Sequence, residues 1–190
     1  VGNERLWGLG CVAGGLRCGV AWNTLALALL TASGTVVLGT MMALMAERGA
    51  VRLQGPLDSA ALARSLQALV QRHEPLRTSF TSSGGRPIQR IAAHLEIDLP
   101  VIDLRHLPSH ERAAHAKLLA DEQARCPFDL HEAPLMRARL LRLDEQEHQL
   151  ILTSHHIIFD GWSQAIFFHE LSALYAADVQ GQICRLSALP

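Results

Sequence analysis

From about residue 46 onward the sequence predicts an α+β fold. Short β-type runs come in pairs joined by polar or glycine-rich turns, at Ser82-Ser83-Gly84-Gly85 and at Asp144-Glu145-Gln146-Glu147. Other stretches place apolar residues at helical spacing, entered through a capping residue and stopped before a proline. Hairpin-paired strands with helices between them imply a mixed sheet with helices packed on it.

The elements follow in order. Residues 51–54 (Val-Arg-Leu-Gln) alternate and read as a strand, ended by Gly55-Pro56. Asp58 is a helix N-cap, and Leu62, Leu66, Leu69 and Val70 form one apolar stripe. Pro75 disfavours helical geometry at Glu74, so the helix stops by there. Residues 76–81 and 87–91 read as the arms of a hairpin, and 97–104 as another strand. Pro108-Ser109 opens a helix that continues over 111–125 and stops before Pro127. Residues 135–143, with Arg137, Arg139 and Arg142 interspersed, are expected to form a strand with one wet face. Residues 149–154 are an apolar run expected to be a buried strand. A closing helix follows Gly161, with Trp162, Ile166, Phe167, Leu171, Leu174 and Tyr175 expected on its inner face.

Composition narrows the function. The chain has 190 residues, 49% of them apolar and 18% charged, which describes a globular protein. A net charge of -1 offers no basic field, so nucleic acid is not an expected partner. Cys11, Cys18, Cys126 and Cys184 form no C-x-x-C pair and read as reduced thiols of a cytoplasmic protein. Cys126 is expected to serve packing. No glycine loop is suited to cradle phosphates.

Residues 1–45 stand apart. No charged residue occurs between Arg17 and Glu47, and residues 21–45 are long enough to span a bilayer as one helix. Asn23, Thr24, Thr31, Ser33, Gly34, Thr35, Gly39 and Thr40 dilute that hydrophobicity, and the flanking charges are nearly balanced. The segment is a weak transmembrane candidate, an insertion or a frame change.

The chemistry concentrates in Ser154-His155-His156-Ile157-Ile158-Phe159-Asp160-Gly161-Trp162-Ser163. A histidine leaving a buried strand is held rigidly and still reaches a cavity, as a general base requires. Neighbours on an extended backbone face opposite sides, so one of His155 and His156 is expected to be structural. Asp160 can fold back to orient a ring nitrogen, or pair with an arginine and brace the loop. Gly161 allows a backbone angle or a close approach that a side chain would block. Three readings stay open at this level. They are a base for acyl transfer, a metal site from His155, His156 and Asp160, and two histidines satisfied at a strand end. The metal reading lacks further ligands. Ser154 and Ser163 lack the G-x-S-x-G setting of a nucleophile and read as capping or strand-end hydroxyls. His94, His106, His110, His115, His131, His148 and His169 are scattered and expected to be solvated.

The string His155-His156-Ile157-Ile158-Phe159-Asp160-Gly161-Trp162-Ser163 resembles the HHxxxDGWS signature of condensation domains of nonribosomal peptide synthetases. These are relatives of chloramphenicol acetyltransferase and other HHxxxD acyltransferases. Arg72-His73-Glu74-Pro75-Leu76-Arg77-Thr78-Ser79-Phe80 resembles the RHExLRTxF block of the same family. Pro127-Phe128-Asp129-Leu130 with Pro134-Leu135-Met136-Arg137-Ala138 is similar to the usual approach to the signature. The resemblance covers roughly residues 46–178. Arg5-Leu6-Trp7-Gly8-Leu9 is similar only to the end of the first family motif, at too great a distance from Arg72.

The resemblance implies a chloramphenicol acetyltransferase-like sandwich lobe over 46–190, cut before the second lobe that would complete the site. It implies amide formation between two acyl groups held as thioesters on the phosphopantetheine arms of carrier domains. His156 would act at that step, on the acceptor amine. His155 would be structural, and Asp160 would brace the loop through an ion pair with Arg77 or Arg72. Gly161 would flank the acceptor channel. No cofactor or metal is bound directly. The partners implied are upstream and downstream carrier domains, an adjacent adenylation domain and the second lobe. The alternatives are a stand-alone HHxxxD acyltransferase using a coenzyme A thioester, and an inactive remnant.

Overall fold

The computed structural model describes residues 50–189. The apolar segment 1–45, with its insertion, frame-change and membrane readings, lies outside the described residues. Among the described residues no helix is long and apolar enough to cross a membrane.

Among the described residues six strands form two sheets, accompanied by three α-helices. Strands β1 (Ala50–Gln54), β4 (Val101–Asp103), β5 (Met136–Arg142) and β6 (Glu147–Ser154) form a mixed sheet in the order β1-β6-β5-β4. β6 runs antiparallel to both neighbours, and β4 pairs with β5 in parallel. β2 (Thr78–Ser83) and β3 (Arg86–Ile91) make a separate hairpin. Gly84 and Gly85 both take positive φ, 58° and 77°, as a tight two-residue hairpin turn requires. Phe80 N–H donates to Leu130 O at 2.7 Å, tying this hairpin to the segment after the second helix.

Helix α1 (Ser59–Arg72) begins where Asp58 accepts from the amides of Ala60 and Ala61. Its stripe of Leu62, Leu66, Leu69 and Val70 is fully buried. Helices α2 (Ser109–Arg125) and α3 (Gly161–Val179) complete the set. The sheet is buried from both sides. Leu140 and Leu150 face the core shared with α1 and α3, while their chain neighbours Leu141 and Ile151 face the cluster formed with Ala116 and Ala120 of α2. Alternate side chains of a strand point to opposite faces, so a doubly covered strand reads as a continuous apolar run.

Three expectations change at this level. β5 has no fully wet face, because α2 covers the side of Leu141, which also carries the half-buried Arg137 and Arg139, while Arg142 lies on the opposite side with Leu140. Residues 76–81 are not one strand. Pro75 starts a 3₁₀ turn, Glu74–Arg77, that buries Leu76 before β2 begins at Thr78. The strand expected at 97–104 shrinks to Val101–Asp103. Ahead of it the chain bonds to a side chain instead of a ladder. Gln67 of α1 donates to Leu95 O at 2.7 Å and accepts from Ile97 N–H at 3.1 Å.

The inner face of α3 is also rotated from expectation. Phe167, Phe168, Leu171 and Tyr175 are buried, whereas Trp162 is 85% and Ile166 53% exposed. At about 100° per residue, Trp162 lies half a turn around the axis from Leu171. Cys126 is exposed rather than packed.

His148 is buried at 5% exposure, contrary to the solvated position expected, and its Nδ1 has no hydrogen-bond partner among the described residues. Burial pushes its pKa below the usual 6.5, reinforced by Arg142 and Arg105 nearby. The folded state therefore binds the proton less readily than the unfolded chain. The stability this contributes is complete above the ordinary histidine value and is lost as pH falls below it. Denaturant titrations from about pH 8 to about pH 5 are expected to show a steeper loss for the wild type than for His148→Gln.

Candidate active site

The site forms where β6 runs out. The β5–β6 ladder reaches Ser154 opposite Met136, and His155 N–H extends it by donating to Leu135 O at 2.9 Å. The chain then turns, with Ile158 N–H donating back to His155 O at 3.1 Å. This turn sends the two rings apart. His155 is half-buried, with its ring edge-on to Phe128, 6.3 Å between centroids and planes at 87°. His156 is exposed and lines a cleft of about 630 Å³. The walls of that cleft include Ser154 of β6, Arg125 of α2, and Asp160, Gly161 and Gln164 at the start of α3.

Asp160 is the N-cap of α3. Its Oδ1 accepts from Ser163 N–H at 2.8 Å and from Ser163 Oγ at 2.7 Å. Those bonds, the backbone one foremost, hold its carboxyl below the usual carboxylate range. A carboxylate here is also favoured by the helix dipole. Among the described residues the brace expected from Arg77 or Arg72 is absent, and Ser163 takes that place.

The two arginines are committed elsewhere. Arg77 donates to Ala92 O and reaches Glu74 at 3.3 Å. Arg72 Nε lies 3.1 Å from Glu170 of α3, and one of its terminal nitrogens donates to Ser187 O. His73 Nε2 sits 2.6 Å from the same Glu170 carboxylate. Glu170 is 8% exposed, so the Arg72-His73 pair answers a buried charge on the helix whose first turn walls the cleft. Sequence reading passed over Glu170, whose partners lie 97 and 98 residues away. Its place on the α3 face that also buries Phe167 and Leu171 is the signal that could have found it.

Gly161 is not in a left-handed conformation, and a Cβ added there would meet nothing within 4 Å. The special backbone angle expected of it is absent and no part of the protein packs closely on it, because as the first residue of α3 it takes helical geometry in open space. Its bare face borders the cleft. No group of three His, Cys, Asp or Glu side chains able to hold a metal occurs among the described residues. His155, His156 and Asp160 do not converge.

The fold is thus a mixed α+β lobe whose HHxxxD string releases the second of two adjacent histidines into a cleft. The family described as Condensation domain matches residues 44–190, and the chain belongs to it. One of the proteins that make up the linear gramicidin synthase of Brevibacillus parabrevis is 50% identical over 140 residues, which are 74% of this chain and 3% of that protein. The first condensation domain of the calcium-dependent antibiotic synthetase, solved with a substrate analogue, superposes with a TM-score of 0.68 at 28% identity. That match covers 73% of this chain and 34% of the solved one. The X-domain from teicoplanin biosynthesis superposes with a TM-score of 0.63 at 32% identity, over 73% of this chain and 29% of that one. The chain thus spans about a third of these solved chains and a small part of the curated relative.

Removing one partner of a buried ion pair leaves the other charge desolvated. Glu170→Ala is expected to cost about 3 kcal/mol in denaturant unfolding. Glu170→Gln, which keeps two hydrogen-bonding atoms, is expected to cost less.

Proposed function

We propose that this chain provides the histidine-bearing half of a site that joins two thioester-bound acyl groups through an amide bond. The observation that carries the reading is His156, alone of the two adjacent rings, at the rim of the cleft. The acceptor amine attacks the donor thioester carbonyl, the C–N bond forms, the C–S bond breaks and the thiol leaves. The amine proton departs with His156 as its acceptor or as the group that steers it. A thioester is already activated, so positioning and one base supply much of the rate. His155 and Asp160 shape the loop, Arg72 and Arg77 support the elements around it, and the bare face of Gly161 leaves room for a substrate arm.

The substrates on this reading are acyl or aminoacyl groups on phosphopantetheine arms. The partners are upstream and downstream carrier domains, a neighbouring adenylation domain and a second lobe facing the cleft, in the cytoplasm. The gramicidin synthase relative supports that setting. A domain boundary near residue 46 belongs to the same proposal. A second reading, a binding module without turnover, is supported by a structural neighbour, the X-domain solved in complex with OxyB.

Amide formation from two loaded carrier domains tests the choice. His156→Ala is expected to lower the rate about 100-fold or more without loss of fold. Unchanged turnover would remove His156 from its role. Absence of turnover in the wild type, with capture of a protein partner, would favour the binding module. Turnover with coenzyme A thioesters but not carrier-bound ones would favour a stand-alone acyltransferase. Gly161→Leu is expected to leave the unfolding midpoint nearly unchanged and to slow the reaction by filling the cleft wall.

A further inference from the structure

His155 is gripped both by its own loop and from outside it. Ile157 N–H donates to its Nδ1 at 3.1 Å, so Nδ1 is an acceptor and the neutral ring carries its proton on Nε2. Phe128 meets the ring edge-on. On Phe128 lies the guanidinium of Arg137, 3.9 Å from the ring centroid. The two terminal nitrogens of Arg137 donate to Cys126 O at 2.8 Å and Pro127 O at 2.7 Å. Those carbonyls belong to the two residues that lead into Phe128. One arginine thus fixes both the aromatic ring and the backbone that delivers it. Arg137 stands on β5 opposite Thr153, two residues before His155. Gln123 of α2 reinforces this register by donating to Arg137 O at 3.3 Å and Thr153 Oγ1 at 3.0 Å.

We infer that Phe128 and Arg137 are positioning residues for the histidine pair. They hold the His155 ring out of the cleft in its Nε2–H form, so that the turn offers His156 alone. Without Phe128, His155 would have space on one flank. It could then exchange tautomer and rotamer, and the turn anchored on its Nδ1 and carbonyl would loosen beneath His156. A merely volume-filling Phe128 would need no cation clamped to its face and to its own backbone. The consequence for amide formation rests on the proposed condensation role, but the state of the His155 ring does not.

The experiment therefore reads the ring first. Imidazole ¹⁵N spectra of the labelled 190-residue chain, recorded at about pH 8 where an ordinary imidazole is neutral, are expected to show His155 fixed with the proton on Nε2. Phe128→Leu and Arg137→Gln are expected to give His155 averaged-tautomer shifts, with amide dispersion and the His148 signals unchanged. Phe128→Tyr is expected to keep the wild-type pattern. Should Phe128→Leu fail to fold, Arg137→Gln, which leaves the aromatic ring in place, decides alone. A fixed His155 in a folded Phe128→Leu, or in Arg137→Gln where that variant decides, overturns the inference. In the amide-forming assay Phe128→Leu is expected to lower kcat about tenfold or more with little change in KM, restored by Phe128→Tyr. Absence of turnover in the wild type counts against the condensation reading and leaves the ring measurement standing.

Discussion

Seven residue pairs join β5 to β6, from Met136 opposite Ser154 to Arg142 opposite His148. The rest of the structure hangs on this ladder. Its two faces collect the two apolar clusters, so α1 and α3 dock on one side and α2 on the other. Its open end holds the site, because the last bond, from His155 N–H to Leu135 O, marks where extended backbone becomes a turn. The histidine before that turn stays with the scaffold, and the one after it enters the cleft. A shift of one residue in the register would exchange their fates and turn every core leucine of β6 to the wrong face.

The second organising contact is between α1 and α3. Three polar links bind them along their length. Asp58 N–H donates to Tyr175 Oη at 3.0 Å, Arg64 reaches Asp178 at 2.6 Å, and Arg72 and His73 share Glu170. The second sits at the rim, where screening by water leaves an ion pair worth little. The third is desolvated, so its geometry matters. It sets the register of α3, and the first turn of α3 supplies the Asp160, Gly161 and Gln164 walls of the cleft. The Arg-His-Glu block thus braces the helix whose first turn walls the cleft.

Much of this was legible in the chain. Asp58, Pro75, Gly84-Gly85 and the leucine stripe of α1 specify their elements through local geometry, and local rules read them. The histidine signature was legible because its residues are consecutive. What escaped were contacts closed by the fold. Glu170 meets residues nearly a hundred positions away, and Gln67 replaces a strand ladder over residues 95–97 with its own side chain. Arg137 read as a wet-face cation, yet its charge is spent on Phe128 and two carbonyls. The expected pairing of Asp160 with an arginine failed for a related reason. Ser163, three residues on, satisfies that carboxylate at once, and both arginines have nearer partners.

The exposure of His156 bears on the proposed chemistry. A thioester held beside a base in open water is open to hydrolysis as well as to attack by an amine. An amide-forming site must therefore exclude water from this cleft. Next to His156, Ile157 is 47% exposed, and Trp162 and Ile166, one turn apart on α3, turn their apolar surface outward beside the residues that wall the cleft. Such side chains cost free energy in water and gain it under a cover. On the condensation reading this is the face the second lobe would close. The rigidity of the ladder then has a chemical purpose. With His155 immobilised against Phe128 and α3 pinned through Glu170, the histidine-bearing wall needs no rearrangement when the other wall arrives, and closure can be spent on excluding water and aligning the amine.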